Sequence, residues 1–225
     1  MNERLVEETL KTKDISKTLK RRIYLITKRL FDIFTSLLGI IFLLPITFII
    51  KICSLIKGDT YPVIFTQNRI GKNGEEFKFY KFRSMVPNAD EVLKELLKDK
   101  KLKEEYTKNK KLKNDPRITK IGKFIRKTSI DELPQLINVL KGDMSMIGNR
   151  PYLPREKEDM GNYFNDIVTT KPGITGYWQV SGRSDVSFNK RLQLEKYYSE
   201  NAGFRLDLKI FIKTFTVVLL HKGSR

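Results

Sequence analysis

Histidine and cysteine are almost absent from this sequence. Among 225 residues there is one of each, His221 and Cys53. A single cysteine excludes an intrachain disulfide and suits a cytosol-facing protein. A single histidine argues against a His-ligated metal cluster, a Cys–His pair or a Ser–His–Asp triad. Chemistry then falls to carboxylates, to Lys or Arg, to hydroxyls, or to a metal held by oxygen ligands. Acids are also in short supply. Twenty-six Asp and Glu face 44 Lys and Arg, a formal net charge of +18. That excess asks for an anionic partner: nucleic acid, anionic lipid or a phosphate-rich substrate. Composition alone does not choose among them. No internal repeat and no low-complexity linker divides the chain, whose length suits one domain, or one domain with appendages.

What the sequence does have is one dense apolar block, Leu30 to Ile50. Its length is near the ~20 residues of a membrane-spanning helix. Lys28 and Arg29 precede it while Lys51 and Lys57 follow it, so neither flank reads as the cytoplasmic one. Pro45 lies inside the run, where it removes a backbone donor and crowds the preceding turn. Three readings stand: an ordinary spanning helix, a re-entrant helix kinked at the proline, and a buried core helix. Residues 1–27 read as a polar helical arm ending in Lys20-Arg21-Arg22, unlike a secretory signal.

Beyond the block, residues 61–67 and 76–82 are rich in strand formers, and Gly71-Lys72-Asn73-Gly74 between them carries an Asn-Gly turn signal. No Gly-Lys-Ser/Thr follows, so a turn is favoured over a phosphate loop. Residues 89–114 have helical propensity and dense charge. They suit a solvated helix near anionic headgroups better than a nucleic-acid contact. Near the C-terminus a helix is expected around Asn189–Asn201. The run Leu206–Leu220 reads as a second helix, either in the core or in the membrane interface.

The densest set of reactive residue types is Arg126-Lys127-Thr128-Ser129-Ile130-Asp131-Glu132-Leu133-Pro134-Gln135. Ser129 and Glu132 have capping-box spacing, and Leu133, Leu136, Ile137 and Leu140 follow at helical intervals. Asp131 and Glu132 would then sit in a first helical turn, where acids offset the dipole. The same position suits an ionised carboxylate near phosphate, and a carboxylate can accept a phosphoryl group covalently. Arg150, in Gly148-Asn149-Arg150-Pro151, offers a planar fork for phosphate or is a surface arginine in a turn. Arg83 is a further candidate. The stretch Lys171–Asp185 contains the only tryptophan, Trp178, and reads as a nucleotide-facing loop or a packed one.

Taken together, these segments resemble the bacterial sugar transferase family, the monotopic polyprenol-phosphate phosphoglycosyl transferases. The resemblance rests on the Pro-containing block, Gln67-Asn68-Arg69-Ile70-Gly71, Phe79–Met85, Asp131-Glu132-Leu133-Pro134-Gln135, Lys141-Gly142-Asp143-Met144-Ser145 and Lys171-Pro172-Gly173-Ile174-Thr175-Gly176, in one order. Two departures are Leu44 where many relatives place Ser before the proline, and Asn149 where many carry Pro.

The resemblance implies a mainly helical α+β fold in a monotopic membrane protein. It implies a re-entrant helix broken at Pro45, a small β-hairpin and interfacial amphipathic helices. The implied organisation is an arm over 1–27, a membrane helix over 28–57 and a catalytic domain over 58–225, a minimal catalytic unit beside the family's larger members. The implied reaction moves a hexose-1-phosphate from a UDP-sugar to undecaprenyl or another polyprenol phosphate. It passes through a phosphosugar ester of Asp131 and releases UMP. Glu132 assists, Mg²⁺ is the cofactor and is contacted by Asp131, and Arg126, Arg150, Lys81 and Arg83 neutralise phosphates. Gln179 and Arg183 belong to the candidate nucleotide-sugar loop. The expected setting is one leaflet of the bacterial inner membrane, at the cytoplasmic face, with no nucleic-acid partner and homodimerisation left open.

Overall fold

The computed structural model describes residues 3–109, 112–182 and 186–219. It begins with one very long helix, α1 (Glu3–Ile56). There follow β1 (Ile64–Ile70), β2 (Glu76–Phe82), α2 (Ala89–Leu96), α3 (Lys100–Asn109), α4 (Lys120–Lys127), α5 (Gln135–Lys141) and β3 (Ser145–Ile147). The one-turn helices α6 (Lys157–Met160) and α7 (Phe164–Ile167) lead to β4 (Gly173–Thr175), α8 (Tyr177–Val180), α9 (Phe188–Asn201) and α10 (Phe204–Leu219). The fold is mostly helical with little sheet.

Helix α1 buries one stripe. Tyr24, Asp32, Ser36, Leu43, Ile50 and Ser54 are buried, at spacings of four, seven and eight residues that keep to a single face. The other face exposes Phe34, Leu37, Ile41, Phe42, Leu44, Phe48 and Ile49. Apolar side chains turned outward in this number suit hydrocarbon rather than water. The helix is long and apolar enough to cross a membrane.

The expected break at Pro45 is not seen. The helix runs through the proline without interruption, and the buried stripe keeps its register on both sides. Leu43 and Ile50 enter one cluster with Phe82 and Ile125, and this shared packing offsets the cost of a helical proline, about 3 kcal/mol. The Thr47 hydroxyl donates to the Leu43 carbonyl at 2.7 Å in the same turn. The chain reverses only after Ile56. There Lys57 N–H and Asp59 N–H both donate to Ser54 O, and Gly58 takes the positive φ of 73° that ends the helix. The arm and the apolar block therefore form a single helix.

Along its buried stripe α1 is tied to the rest of the chain at many levels. Arg21 donates to Ala202 O at 2.8 Å, and Lys28 pairs with Asp207 at 2.6 Å. Arg29 donates to Val139 O and Leu140 O at 2.6 and 2.7 Å, which ties it to the C-terminal turn of α5. Asp32 accepts from Ser145 Oγ and from Met146 N–H at 3.0 and 2.8 Å. Lys51 reaches Thr60 O at 3.3 Å. From Arg21 to Lys51 is about 45 Å of helix, and the same globular body follows it throughout.

The hairpin forms as expected, with strand partners running from Ile64 with Phe82 to Ile70 with Glu76. Asn73 and Gly74 take the positive φ that its connection needs, 59° and 83°. The first strand starts at Ile64 rather than Tyr61, since Pro62 has no N–H to donate. The charged stretch is two helices, α2 and α3, rather than one. Two motifs distant in sequence meet as a parallel pair, with Ser145 opposite Gly173 and Ile147 opposite Thr175. Gly148 and Gly173 make this possible, because a Cβ on either would strike the other's backbone segment. Helix α10 is both core and surface: Ile210 is fully buried, whereas Leu208, Ile212 and Phe215 face outward.

Candidate active site

Asp131 is 4% exposed. It lies in a tight 3₁₀ turn, Ile130–Glu132, and not in the first turn of an α-helix. The expected capping box is absent. Ser129 adopts a left-handed conformation, φ 57°, and its side chain makes no cap hydrogen bond. Pro134 stands at the N-cap of α5, so the helix starts at Gln135 and the two acids are displaced into the preceding turn. Ile130 and Leu133, which bracket the acids, pack into the Leu43, Ile46, Ile50, Phe82 and Ile125 cluster. The turn that carries the carboxylate thus packs into a cluster that the apolar helix shares with β2 and α4.

Lys81, near the end of β2, places its Nζ 2.6 Å from Asp131 Oδ2. Arg126 closes the last turn of α4, which is capped by Thr119 accepting from Gly122 N–H. Its Nε donates to Ser84 Oγ at 2.8 Å. Burial lowers the Arg126 pKa, and the charges of Asp131 and Asp115 oppose that shift. Arg117 and Asp115 form a buried two-pronged pair alongside, at 2.8 and 2.6 Å. Burial pushes the Asp115 pKa up, but Arg117 outweighs it and holds the carboxyl below its ordinary value. An ammonium and a guanidinium gathered at one carboxylate form a cationic setting that attracts a phosphorylated electrophile.

The other expected residues lie elsewhere. Arg83 turns away from Asp131: it pairs with Asp59 at 2.8 Å, donates from Nε to Pro62 O, and stacks over Tyr61 at 5.1 Å. Arg83 lies just past the end of β2, where its partners Asp59, Tyr61 and Pro62 fix it as a clamp on the 59–62 segment and not as part of a phosphate site. Arg150 belongs to a second centre. Its N–H donates to Glu195 Oε1 at 3.0 Å, and its guanidinium shares a field with Arg69 and Arg191. Gln179 donates to Ile174 O at 3.0 Å, which holds α8 against β4. Arg183 lies outside the described residues. Glu132 follows Asp131 in the 3₁₀ turn and is half-buried.

The family profile described as bacterial sugar transferase matches residues 23–221. The chain belongs to the bacterial sugar transferase family. It is 46% identical over 211 residues to the undecaprenyl-phosphate galactose phosphotransferase of Salmonella typhimurium, a match covering 93% of this chain and 44% of that protein. The exopolysaccharide production protein ExoY of Sinorhizobium fredii is 40% identical over 201 residues, 88% of each chain. An N-acetylgalactosamine phosphotransferase of Aeromonas hydrophila that acts on undecaprenyl phosphate is 36% identical over 212 residues, covering 90% of this chain and 46% of that one. The chain spans about half the length of several of the curated relatives it matches.

For a member of this family, the donor set bears on the metal question. Among the described residues no three His, Cys, Asp or Glu side chains gather closely enough to cage an ion. Asp131 with oxygens of a bound diphosphate nevertheless fits Mg²⁺, which commonly takes one or two carboxylates and completes its shell with phosphate and water. The sequence reading missed Arg117, Asp115, Arg191 and Glu195. Arg117 follows Pro116, and Arg191 and Glu195 lie in a polar helix, so nothing in the local sequence marks them as buried. Arg69 stands in the Gln67–Gly71 motif, where the sequence suggests no separate role for it.

Proposed function

We propose that this sugar transferase is a phosphoglycosyl transferase that moves a hexose-1-phosphate from a UDP-sugar to a polyprenol phosphate and so starts assembly of a polysaccharide. The carrying observation is the buried Asp131–Lys81 pair, set on residues that pack against the apolar helix. A soluble donor and a lipid acceptor must meet at a boundary, and a nucleophile fixed to a helix in lipid stands at one. In the first step an Asp131 oxygen bonds to the sugar-bearing phosphorus. The phosphorus–oxygen bond to UMP breaks, and the electron pair leaves on UMP. In the second step the phosphate oxygen of the polyprenol phosphate attacks the same phosphorus and frees the carboxylate. Lys81 and Arg126 draw in the anionic donor and steady its charge, and Glu132 positions or deprotonates the acceptor. Asp131 is the residue that would hold Mg²⁺, and the ion would supply further positive charge there.

A site on one leaflet, at the cytoplasmic face of the inner membrane, fits the anchoring of α1. Residues before and after Pro45 contact one globular body, whereas the far end of a spanning helix would leave it. Purified full-length protein given a panel of UDP-sugars, polyprenol phosphate and Mg²⁺ should release UMP. Asp131→Asn should lower turnover by roughly a thousandfold or more while the protein stays folded. Near-native turnover in that variant would remove Asp131 as the nucleophile.

A further inference from the structure

A second cationic centre lies apart from Asp131, around Arg69, Arg150 and Arg191. The Nε atoms of all three are buried without a hydrogen-bond partner, and so is Nε1 of Trp178. Arg191 is 7% exposed and lies over the Trp178 ring at 4.5 Å. Arg69 lies over the Phe79 ring at 5.2 Å and donates to Pro151 O. Two carboxylates face these three guanidiniums. Glu156 is 4.0 Å from Arg69, and Glu195 takes the Arg150 N–H. Buried donors without acceptors are costly, and so are buried like charges. The charge state follows the same pattern. Burial, with Arg150 beside it, pulls Arg69 down to about 9, and burial pushes Glu195 up to about 7. The centre is short of negative charge.

From this geometry we infer that Arg69, Arg150 and Arg191 form a seat for a phosphate group, and that the group is the nucleotide's own phosphate, the one that leaves with UMP. The anion seat rests on the geometry alone, while naming the nucleotide rests on the reading proposed above. Guanidinium forks match phosphate oxygens in shape and charge. The hairpin places the seat within a donor's reach of Asp131. Arg69 and Lys81 share one face of it, since Arg69 pairs with Phe77 and Lys81 with Phe65. They stand about 13 Å apart along the strands, a gap that two long side chains reaching inward reduce to the span of a nucleoside diphosphate. A lipid phosphate fits less well. The cluster beside the seat, with Ile70, Tyr152, Phe188 and Leu192, includes no residue of α1, whereas the cluster beside Asp131 is built on α1. As the bond from Asp131 forms and the bond to UMP breaks, charge grows on the nucleotide phosphate, where these guanidiniums stand.

Trp178 is the only tryptophan in the chain, so its fluorescence reports on the seat in the unaltered, full-length protein. Inorganic pyrophosphate and UMP should each change Trp178 emission saturably. Arg191→Lys and Arg69→Lys, checked for native melting, should raise the Kd for UMP and the KM for the UDP-sugar at least tenfold, with the KM for polyprenol phosphate changed less than twofold. A rise in the polyprenol phosphate KM instead would assign the seat to the lipid and overturn the nucleotide assignment. If the variants misfold, the wild-type titration decides: no change in emission with either probe overturns the seat. Emission that responds to pyrophosphate in a protein releasing no UMP from any UDP-sugar would sink the proposed function and leave the seat standing. UMP release with unchanged emission and unchanged Kd would do the reverse.

Discussion

The two basic centres of this molecule hold similar residue types and differ in how they are balanced. At Asp131 a carboxylate and an ammonium meet at 2.6 Å with a guanidinium alongside. At Arg69, Arg150 and Arg191 three guanidiniums outnumber the acids, and their Nε donors stay unmatched. The first centre is complete in itself and rests on the apolar helix. The second is incomplete and rests on a cluster without that helix. A balanced centre suits the reacting carboxylate proposed for Asp131. An unbalanced one suits a ligand that brings its own negative charge. In the proposed mechanism positive charge does two jobs, and proximity to α1 separates them.

The sharpest way to break this comparison is Lys81→Met. It removes the cation closest to Asp131 and leaves the other centre intact, so UMP release should fall by about 100- to 1000-fold while the Kd for UMP barely moves. A parallel loss of UMP affinity would mean that the two centres are one.

Glu195→Gln probes the other side. The fold raises the Glu195 pKa from 4.5 to about 7, so the folded chain holds this proton more tightly than the unfolded one. Its favourable contribution is complete below about pH 4.5 and is lost as pH rises through about 7. The span corresponds to roughly 3 kcal/mol. Melting curves between pH 4.5 and 7.5 should show a downward slope in the wild type that the amide variant flattens. An unchanged slope would mean that Glu195 is not the group titrating.

Asp32→Ala tests whether the join to α1 is structural rather than catalytic. Ser145 Oγ and Met146 N–H would lose their acceptor, at a cost of about 2 kcal/mol in thermal stability. Donor and acceptor KM values should stay near those of the native protein at temperatures where the variant is folded. The smallest effect belongs to Arg83→Lys. Arg83 pairs with Asp59 outside both centres, so turnover should change by less than about threefold. A hundredfold loss would return Arg83 to the phosphate site that the sequence suggested.

Much of the fold was legible. The strand formers on either side of Gly71–Gly74 announced the hairpin, because a turn needing positive φ selects Asn and Gly. Outward apolar residues were foreseeable from a run with no polar face to turn to water. Pro45 was read too strongly, since a proline weakens one hydrogen bond while packing on both sides decides whether the helix continues. Asp131 was expected in a first helical turn and lies in the 3₁₀ turn before it, because Pro134 postpones the helix that Ser129 seemed to open.

By itself the sequence determined the presence of a lipid-suited helix, the scarcity of histidine that turns the chemistry toward carboxylates and cations, the hairpin, and an ordered set of motifs. These are local properties, written in composition, periodicity and turn residues. Only the tertiary structure decided which cation serves which centre. Lys81 meets Asp131 with Arg126 nearby, Arg83 clamps a loop, and Arg150 joins Arg69 and Arg191, which lie 81 and 41 positions away in the chain. It also joined Gly148 to Gly173 as neighbouring parallel segments. The reason is physical: charge acts through space and a long side chain can turn several ways, so its partner is set by which backbone segments the packed core brings together.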